Sequence, residues 1–519
     1  MSYILLSVLL LPIIAVPFIY LAGRKSAKYA AVLLALVAVA TLGLILTTVP
    51  TILNSATHSA SESYAWIPML NSEFSLSVDG ISISMAIITM VLMLAAAIYS
   101  INYMAGKKNL PIYYALLSLL FVGLVGVFIT SNLLFFYFCW ELMLVPAYFI
   151  VGSWGYRDSY KAAFKLFIFT HAGAVFVLLG IGAMYMVTGY TDMFKVQEAL
   201  MANGTDIVKW ILIALTAGFA VKMAIVPVHM WLPDAHSEAP ATMSALLSGV
   251  IISAGAYAIL RLSLGVVFPA VAVADAAFGV NFLHGLAVFG IISAFFGSLI
   301  ALVETDIKRL IAYSSIAHMG YIMFGLSLFP SNITAGTVIL VASTTAIAGT
   351  VLHIISHAVS KGLFFLSAGA VMHQTEERDI RKMGGLAGKM PFTTVSGITA
   401  ALSIAGAPPF ACFISEFLIF VGAFEIISTD SFYLLPTAFM LIATVLSLAY
   451  SLRFTSRVFL GHRKNGEENE TQEGEKQEKP LFDIPKYMKV ALAILVVMVI
   501  LIGVYPTFFL NLIQTVQFG

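Results

Sequence analysis

Stretches of about 20 apolar residues, long enough to cross the hydrocarbon of a bilayer as a helix, recur almost without pause along these 519 residues. Fourteen such windows can be drawn, near residues 3–22, 28–48, 81–103, 112–130, 132–153, 164–187, 208–226, 242–262, 280–303, 308–329, 335–372, 392–425, 433–459 and 486–510. At membrane depth every peptide group needs a hydrogen bond inside its own segment or in a closed barrel, and windows of this length select the helix. The expected fold is therefore an all-α polytopic membrane protein with about 14 transmembrane helices. Composition agrees, since 60% of residues are apolar and 10% charged, against about 25% charged in a soluble domain. The first window lacks a small-residue cleavage site after a basic start and is followed at once by another window, so it reads as a retained span. The window 335–372 is too long for one straight crossing and must tilt, bend or project.

Several chemistries are missing from the sequence. Net charge is +1, and no basic run is long enough to hold nucleic acid. Cys139 and Cys412 stand alone in apolar surroundings, with no CxxC pair for an iron–sulfur cluster or a zinc ribbon. No GxGxxG or phosphate loop follows a strand and opens a helix. The chain is expected to carry no redox cofactor and no metal of its own.

Basic residues set the orientation. With the N-terminus outside, the odd connections one, three, five, nine, eleven and thirteen carry Arg24, Lys25 and Lys28; Lys107 and Lys108; Arg157, Lys161 and Lys165; Lys308 and Arg309; Arg378, Arg381, Lys382 and Lys389; and the run from Arg453 to Lys489. The other side keeps Lys195, Lys209 and Arg261. By the positive-inside rule the first group is cytoplasmic and both termini lie outside. The seventh connection dissents, having neither lysine nor arginine. Residues 49–80, rich in Ser and Asn and free of Lys and Arg, read as an external loop, and residues 460–485 as a mobile, charged cytoplasmic loop.

Against this background a few charged positions stand out. In the seventh window, AVKMAIVPVHMWLPDAHSEAPA carries Lys222 and then breaks at Pro227. A lysine at mid-membrane costs about 2.5–3.5 kcal/mol on insertion scales, so its default reading is an ion or proton pathway. The twelfth window breaks likewise at Gly406-Ala407-Pro408-Pro409, with Glu416 just beyond. The breaks are five windows apart, and an odd offset makes corresponding helices antiparallel, as in an inverted-topology repeat. The chain then divides into helices 1–3 with the external loop (1–111), a first repeat (112–262), a second, inverted repeat (280–459), the charged loop (460–485) and a last helix (486–519).

Glu141, in the fifth window, has no neighbouring positive charge in sequence, and Lys222 is its natural partner. His318 lies in the tenth window. His353, His357 and Lys361 follow at i, i+4 and i+8 in the eleventh, on one helix face with Ser356 and Ser360 beside them. Imidazoles exchange protons near neutral pH, so such a stripe can hold water and pass protons. His171 reads as an interhelical hydrogen-bonding group. The set His229, Asp234, His236 and Glu238 has metal-ligand composition, but Trp-Leu-Pro-Asp and Glu-Ala-Pro are turn and helix-start signals, which favour caps and turns.

The motifs KMAIVPVHMWLPDAHSEAPA, FYFCWELMLVPAYFIVGSWG, IKRLIAYSSIAHMGYI, HIISHAVSKGLFFLSAG and PPFACFISEFLIF resemble those of the antiporter-like membrane subunits of respiratory complex I and its relatives, over roughly residues 80–460. Glu416, where N-type and L-type subunits and the cation/proton antiporters usually have lysine, resembles the M-type. The resemblance implies a proton-translocating subunit of a complex I-like oxidoreductase. In it Glu141 and Lys222 are the coupling pair of one half-channel, His318 and His357 the central relay, and Glu416 the exit residue. It also implies other membrane subunits and a peripheral redox arm as partners, with flavin, iron–sulfur clusters and a quinone-like acceptor in those partners. NADH, ferredoxin and coenzyme F420 all remain open as donor, and quinone and methanophenazine as acceptor. The alternative within the family is a multisubunit cation/proton antiporter without a redox arm. A departure stands at Ser253, where a lysine is usual on the eighth helix, so that the link from Lys222 to His318 leans on water or a rearranged side chain.

Overall fold

A computed structural model describes residues 3–202, 206–329, 333–335, 338–340, 343–461 and 482–516. Among the described residues, twelve helices are long and apolar enough to cross a membrane: Ile4–Lys25, Ala27–Asn54, Gly80–Tyr103, Leu110–Ile129, Leu133–Trp154, Ser159–Thr188, Ala241–Ala274, Ala276–Val303, Ile307–Ser327, Thr344–Thr375, Ser431–Leu460 and Lys486–Val504. Two further crossings are interrupted. Ile207–Met223 gives way to the short helix Leu232–Glu238, and Pro391–Ile404 to Ala411–Ile427. In chain order these are the seventh and twelfth of fourteen, where the sequence places the breaks.

Polar residues start the helices by taking up free backbone N–H groups. Asp79 accepts from the amides of Ile81 and Ser82 while its own N–H donates to Ser82 Oγ, a capping box. Asn132, Asp275, Asp306 and Ser343 accept in the same way from Phe135, Phe278, Lys308 with Arg309, and Ala346. Small residues then let helices meet. A Cβ on Gly320 would lie 2.5 Å from Ala294 N, so the ninth and tenth helices touch backbone to backbone there.

Two segments differ from expectation. Residues 49–80 do not form a loop throughout, because Ser59–Ile67 (β1) pairs antiparallel with Ser72–Asp79 (β2) in register Ser59↔Asp79 to Ile67↔Ser72, with an irregularity between Ala65 and Ile67. The period-two alternation of SEFSLSVD is the signal for it. Glu62 on β1 receives the amides of Leu5 and Leu6 at 3.0 and 3.1 Å and so covers the start of the first helix. The window 335–372 is also revised. Its helix is Thr344–Thr375, about 48 Å long at 1.5 Å per residue, and Ile333–Ala335 pairs with Val338–Leu340 ahead of it. Apolarity there belongs to β-branched residues that suit a strand. Of the expected charged loop, residues 462–481 lie outside the described residues.

The eleventh helix stands at the centre, with the whole of its most apolar stretch buried, and the tenth is nearly as enclosed. The first, second, thirteenth and fourteenth lie on the outside. Buried lysine and histidine side chains concentrate on the inner helices, where protein replaces lipid around them.

Candidate functional site at the two broken helices

At the first break, Met223 is the last helical residue and Ala224 takes a left-handed conformation, φ 59°. The chain then runs through a cis Val226–Pro227 bond. Freed backbone groups find partners: Trp231 Nε1 donates to Val221 O at 2.9 Å and Val226 N to Ser293 Oγ at 3.1 Å. Lys222, in the last helical turn, is buried. Its Nζ donates to Trp140 O at 2.9 Å and lies 3.9 Å from the centre of the Trp140 ring, a cation–π contact.

The direct Glu141–Lys222 ion pair expected from sequence is not formed. Neighbours on a helix point about 100° apart, so while Trp140 faces Lys222, Glu141 turns toward the sixth helix. There its Oε2 meets His171 Nδ1 at 3.2 Å. His171 is thus an interhelical hydrogen-bonding group, as its sequence context suggests. Glu141 Oε1 has no hydrogen-bond partner.

The polar segment after the break is held by ion pairs. Asp234 bonds Lys165 at 2.7 Å and Arg309 at 2.8 Å, and Glu238 bonds Arg378 at 3.1 Å. Arg378 also reaches Asp306 at 2.7 Å. These cations come from the first two turns of the sixth and tenth helices and from the eleventh connection. That explains why the seventh connection carries no basic residue, since its acids are neutralised by its neighbours. His236 is buried, stacked 4.8 Å from the Phe365 ring, and His229 sits 4.7 Å from Phe296.

At the second break Gly406 is left-handed, φ 67°, and a cis Pro408–Pro409 bond follows. Glu416 lies in the second turn of Ala411–Ile427, buried and facing the tenth and eleventh helices. His318 Nδ1 lies 3.2 Å from His353 Nε2 and 3.9 Å from Glu416 Oε1, and His318 Nε2 lies 3.2 Å from Tyr450 OH. His353 Nδ1 meets Ser415 Oγ at 2.9 Å, and Tyr450 OH meets Ser447 Oγ at 2.8 Å. The candidate metal-binding atoms of His318, His353 and Glu416 lie within 4.8 Å of one another, the one such set among the described residues. The same set can pass protons, because imidazole, hydroxyl and carboxyl groups both give and accept them.

The rest of the stripe continues toward the first half. The His357 ring is 5.8 Å from that of His318, and neither of its nitrogens has a hydrogen-bond partner. Lys361 Nζ donates to Ile311 O at 3.3 Å and to Ser314 Oγ. Ser360 Oγ lies 2.7 Å from Ser403 Oγ. Ser248 Oγ meets Ser315 Oγ at 2.9 Å, joining the eighth helix to the tenth. Ser253 is buried with an unpartnered hydroxyl in the α-helical turns Ile252–Ala258, between π-helical turns at Leu247–Ile251 and Ile259–Val267. Of the five sequence-chosen groups of the second half, His318, His353 and Glu416 are therefore brought together, with His357 and Lys361 farther along the helix of His353, while Glu141 and Lys222 are near but apart. Sequence reasoning missed Tyr450, Ser415 and Ser403, whose hydroxyls are common on apolar helices and carry no local signal.

The geometry can be set beside known proteins. Residues 130–447 match the family described as NADH:quinone oxidoreductase/Mrp antiporter, TM, and residues 66–114 match the N-terminus of complex I chain 5. The NADH-quinone oxidoreductase subunit M of Rickettsia prowazekii is 31% identical over 96% of this chain and 95% of its own, and that of Escherichia coli 32% over 85% and 81%. An archaeal membrane-bound sulfane sulfur reductase superposes with TM-score 0.80 at 27% identity, over 96% of this chain and 76% of that one. Complex I of Thermus thermophilus gives TM-score 0.79 at 20% identity over 98% of each chain, a likeness of fold. With a family match over most of its spans and full-length relatives above 30% identity, the chain belongs to the NADH:quinone oxidoreductase/Mrp antiporter transmembrane family, as an M-type antiporter-like subunit.

Proposed function

We propose that this chain passes protons across its membrane through two stations, Lys222 with Glu141 at the first break and His318, His353, His357 and Glu416 at the second. Membership makes it a proton-translocating membrane subunit of a complex I-like oxidoreductase, and the residue roles are our reading. What carries it is His318, a buried imidazole engaged at both nitrogens and 3.9 Å from a buried carboxylate. Such an arrangement is a poor stabiliser compared with apolar packing and a good proton conductor.

In this reading redox chemistry in partner subunits changes the charge felt at Glu141. Attraction between Glu141 and protonated Lys222 makes a pair with two arrangements, and its separation releases a proton toward Lys361, His357, His318 and Glu416. The uptake side is cytoplasmic and both termini lie outside, by the basic-residue count. Residues 112–262 and 280–459 are the two inverted repeats, and the breaks at Pro227 and at Pro408 and Pro409 are equivalent features of each. The partners are other membrane subunits and a peripheral redox arm that holds flavin and iron–sulfur clusters and reduces a quinone-like acceptor. The names of the curated relatives favour NADH as donor and quinone as acceptor, with the F420H2 type as the variant.

The test is Glu416→Gln in the intact complex reconstituted in vesicles, comparing acceptor reduction with gradient formation in the same sample. Gradient formation is expected to fall by at least about tenfold, the usual scale of a lost coupling, while electron transfer survives in larger part. A full gradient in Glu416→Gln vesicles would remove Glu416 from the pathway.

A further inference from the structure

Glu141 has a second partner that the relay reading does not use. His171 Nδ1 bonds its Oε2 at 3.2 Å from the sixth helix, while Lys222, on the seventh helix, is occupied by Trp140 O and the Trp140 ring. The His171 ring stacks on Phe167 with centroids 5.5 Å apart and planes at 10°, which holds the plane of the imidazole. Its side chain is 49% exposed and that of Glu141 25%, so the pair lies on the flank of the chain, whereas Lys222 lies inside. Movement of the Glu141 carboxylate between these partners is therefore movement between flank and interior. One oxygen bonded to His171 and the other free of any hydrogen-bond partner is what a group held out of its alternative contact looks like.

We propose that His171 is a positioning residue that holds Glu141 in its outward arrangement, competing with Lys222 for the same carboxylate. The inference rests on the relay reading and adds to it the group that opens the pair. With Glu141 ionised, the His171 Nδ1–H donates to it. When charge in the neighbouring subunits favours the inward arrangement, that bond breaks and the carboxylate turns to Lys222. The two bonds draw the carboxylate toward different helices, the sixth and the seventh. The other titratable groups at this corner are Tyr137, one turn before Glu141, and Lys222 from the seventh helix; Lys165, on the His171 helix, is engaged by Asp234.

Two substitutions separate holding from packing. His171→Phe keeps a ring to stack on Phe167 and removes the donor; His171→Gln removes the ring and keeps an N–H for Glu141. In the purified complex in vesicles, His171→Phe is expected to lower gradient formation per electron transferred by about tenfold, within the usual range of coupling factors, and His171→Gln to restore most of it. In the structure of the His171→Phe complex the Glu141 carboxylate should lie within about 4 Å of Lys222 Nζ, an ion pair. Wild-type pumping by His171→Phe overturns the proposal. So does equal loss in both variants, because a donor alone would then not suffice. Glu141→Gln, run alongside, keeps the two ideas apart. If it pumps normally the relay reading fails, whereas if it is inactive while His171→Phe is normal, only the role of His171 fails.

Discussion

Around Lys222 the polar groups are few, whereas around His318 they are many and five of them are hydrogen-bonded in series. Lys222 rests on a carbonyl and an indole, and Glu141 uses one oxygen. His318, His353, Ser415, Tyr450 and Ser447 form an unbroken hydrogen-bonded line with Glu416 at its edge. The chain has used the same device twice, a helix opened by a left-handed residue and proline, and completed it differently. At the first break the two charged groups bond to different partners, and at the second the groups are linked in series. The first half suits switching and the second conduction.

Each contrast can be broken. The largest effect is expected from Lys222→Met, which removes the buried lysine of the first break while keeping its length; gradient formation should fall by at least about 100-fold at the upper end of coupling factors, read by a pH-sensitive dye in vesicles. Retained pumping would mean that the first half does not switch through Lys222. Next, Tyr450→Phe leaves His318 Nε2 without a hydroxyl, at a cost of about 1–3 kcal/mol for a buried unpaired group, seen as a lower unfolding midpoint together with slower pumping. If conduction in the second half depends on the line of hydrogen bonds, both readings move; a change in stability alone would make Tyr450 structural. Arg378→Gln should then cost about 1 kcal/mol of stability, the scale for partly exposed pairs, and loosen the seventh connection from the eleventh, measured by proteolysis.

The smallest effect concerns pH. Lys209, bonded to Asp275 at 2.8 Å, and the Phe278 amide hold the Asp275 carboxyl below its ordinary range. A depressed carboxyl contributes stability that is present above its unfolded pKa and is lost as pH falls through the folded one. Asp275→Asn should therefore remove a small acid-side loss of stability and leave the neutral-pH behaviour of both breaks untouched, as a thermal midpoint series across pH 3–6 would register.

How much was legible follows from where signals are local. The crossings, both breaks and Lys222, His318, His353 and Glu416 are written in apolar runs, prolines and intramembrane charge, all readable within a few residues. The hairpin at 59–79 was lost to its serine-rich composition, although alternation in β2 marked it. The Glu141–Lys222 contact failed for a different reason. Opposite charge predicts attraction, but which neighbour a carboxylate chooses depends on helix rotation, and rotation put Trp140 in its place. Tyr450 and Ser415 contribute only through contacts between helices far apart in sequence, which no single-window reading contains.

The enclosure of the tenth and eleventh helices bears on biogenesis. Both are the least apolar of the twelve uninterrupted crossings, and they carry Lys308, His318, His353, His357 and Lys361. A segment leaving the translocon partitions by its own apolarity, so these two are poor candidates for stable residence in lipid before their neighbours exist. The ninth helix emerges earlier and offers Gly290 and Gly297 to the tenth, while the twelfth, which supplies Glu416 and Ser415, emerges later. Membrane integration of the centre is then a cooperative event that waits for the second broken helix, and nascent chains ending before Phe410 should be targets for quality-control proteolysis.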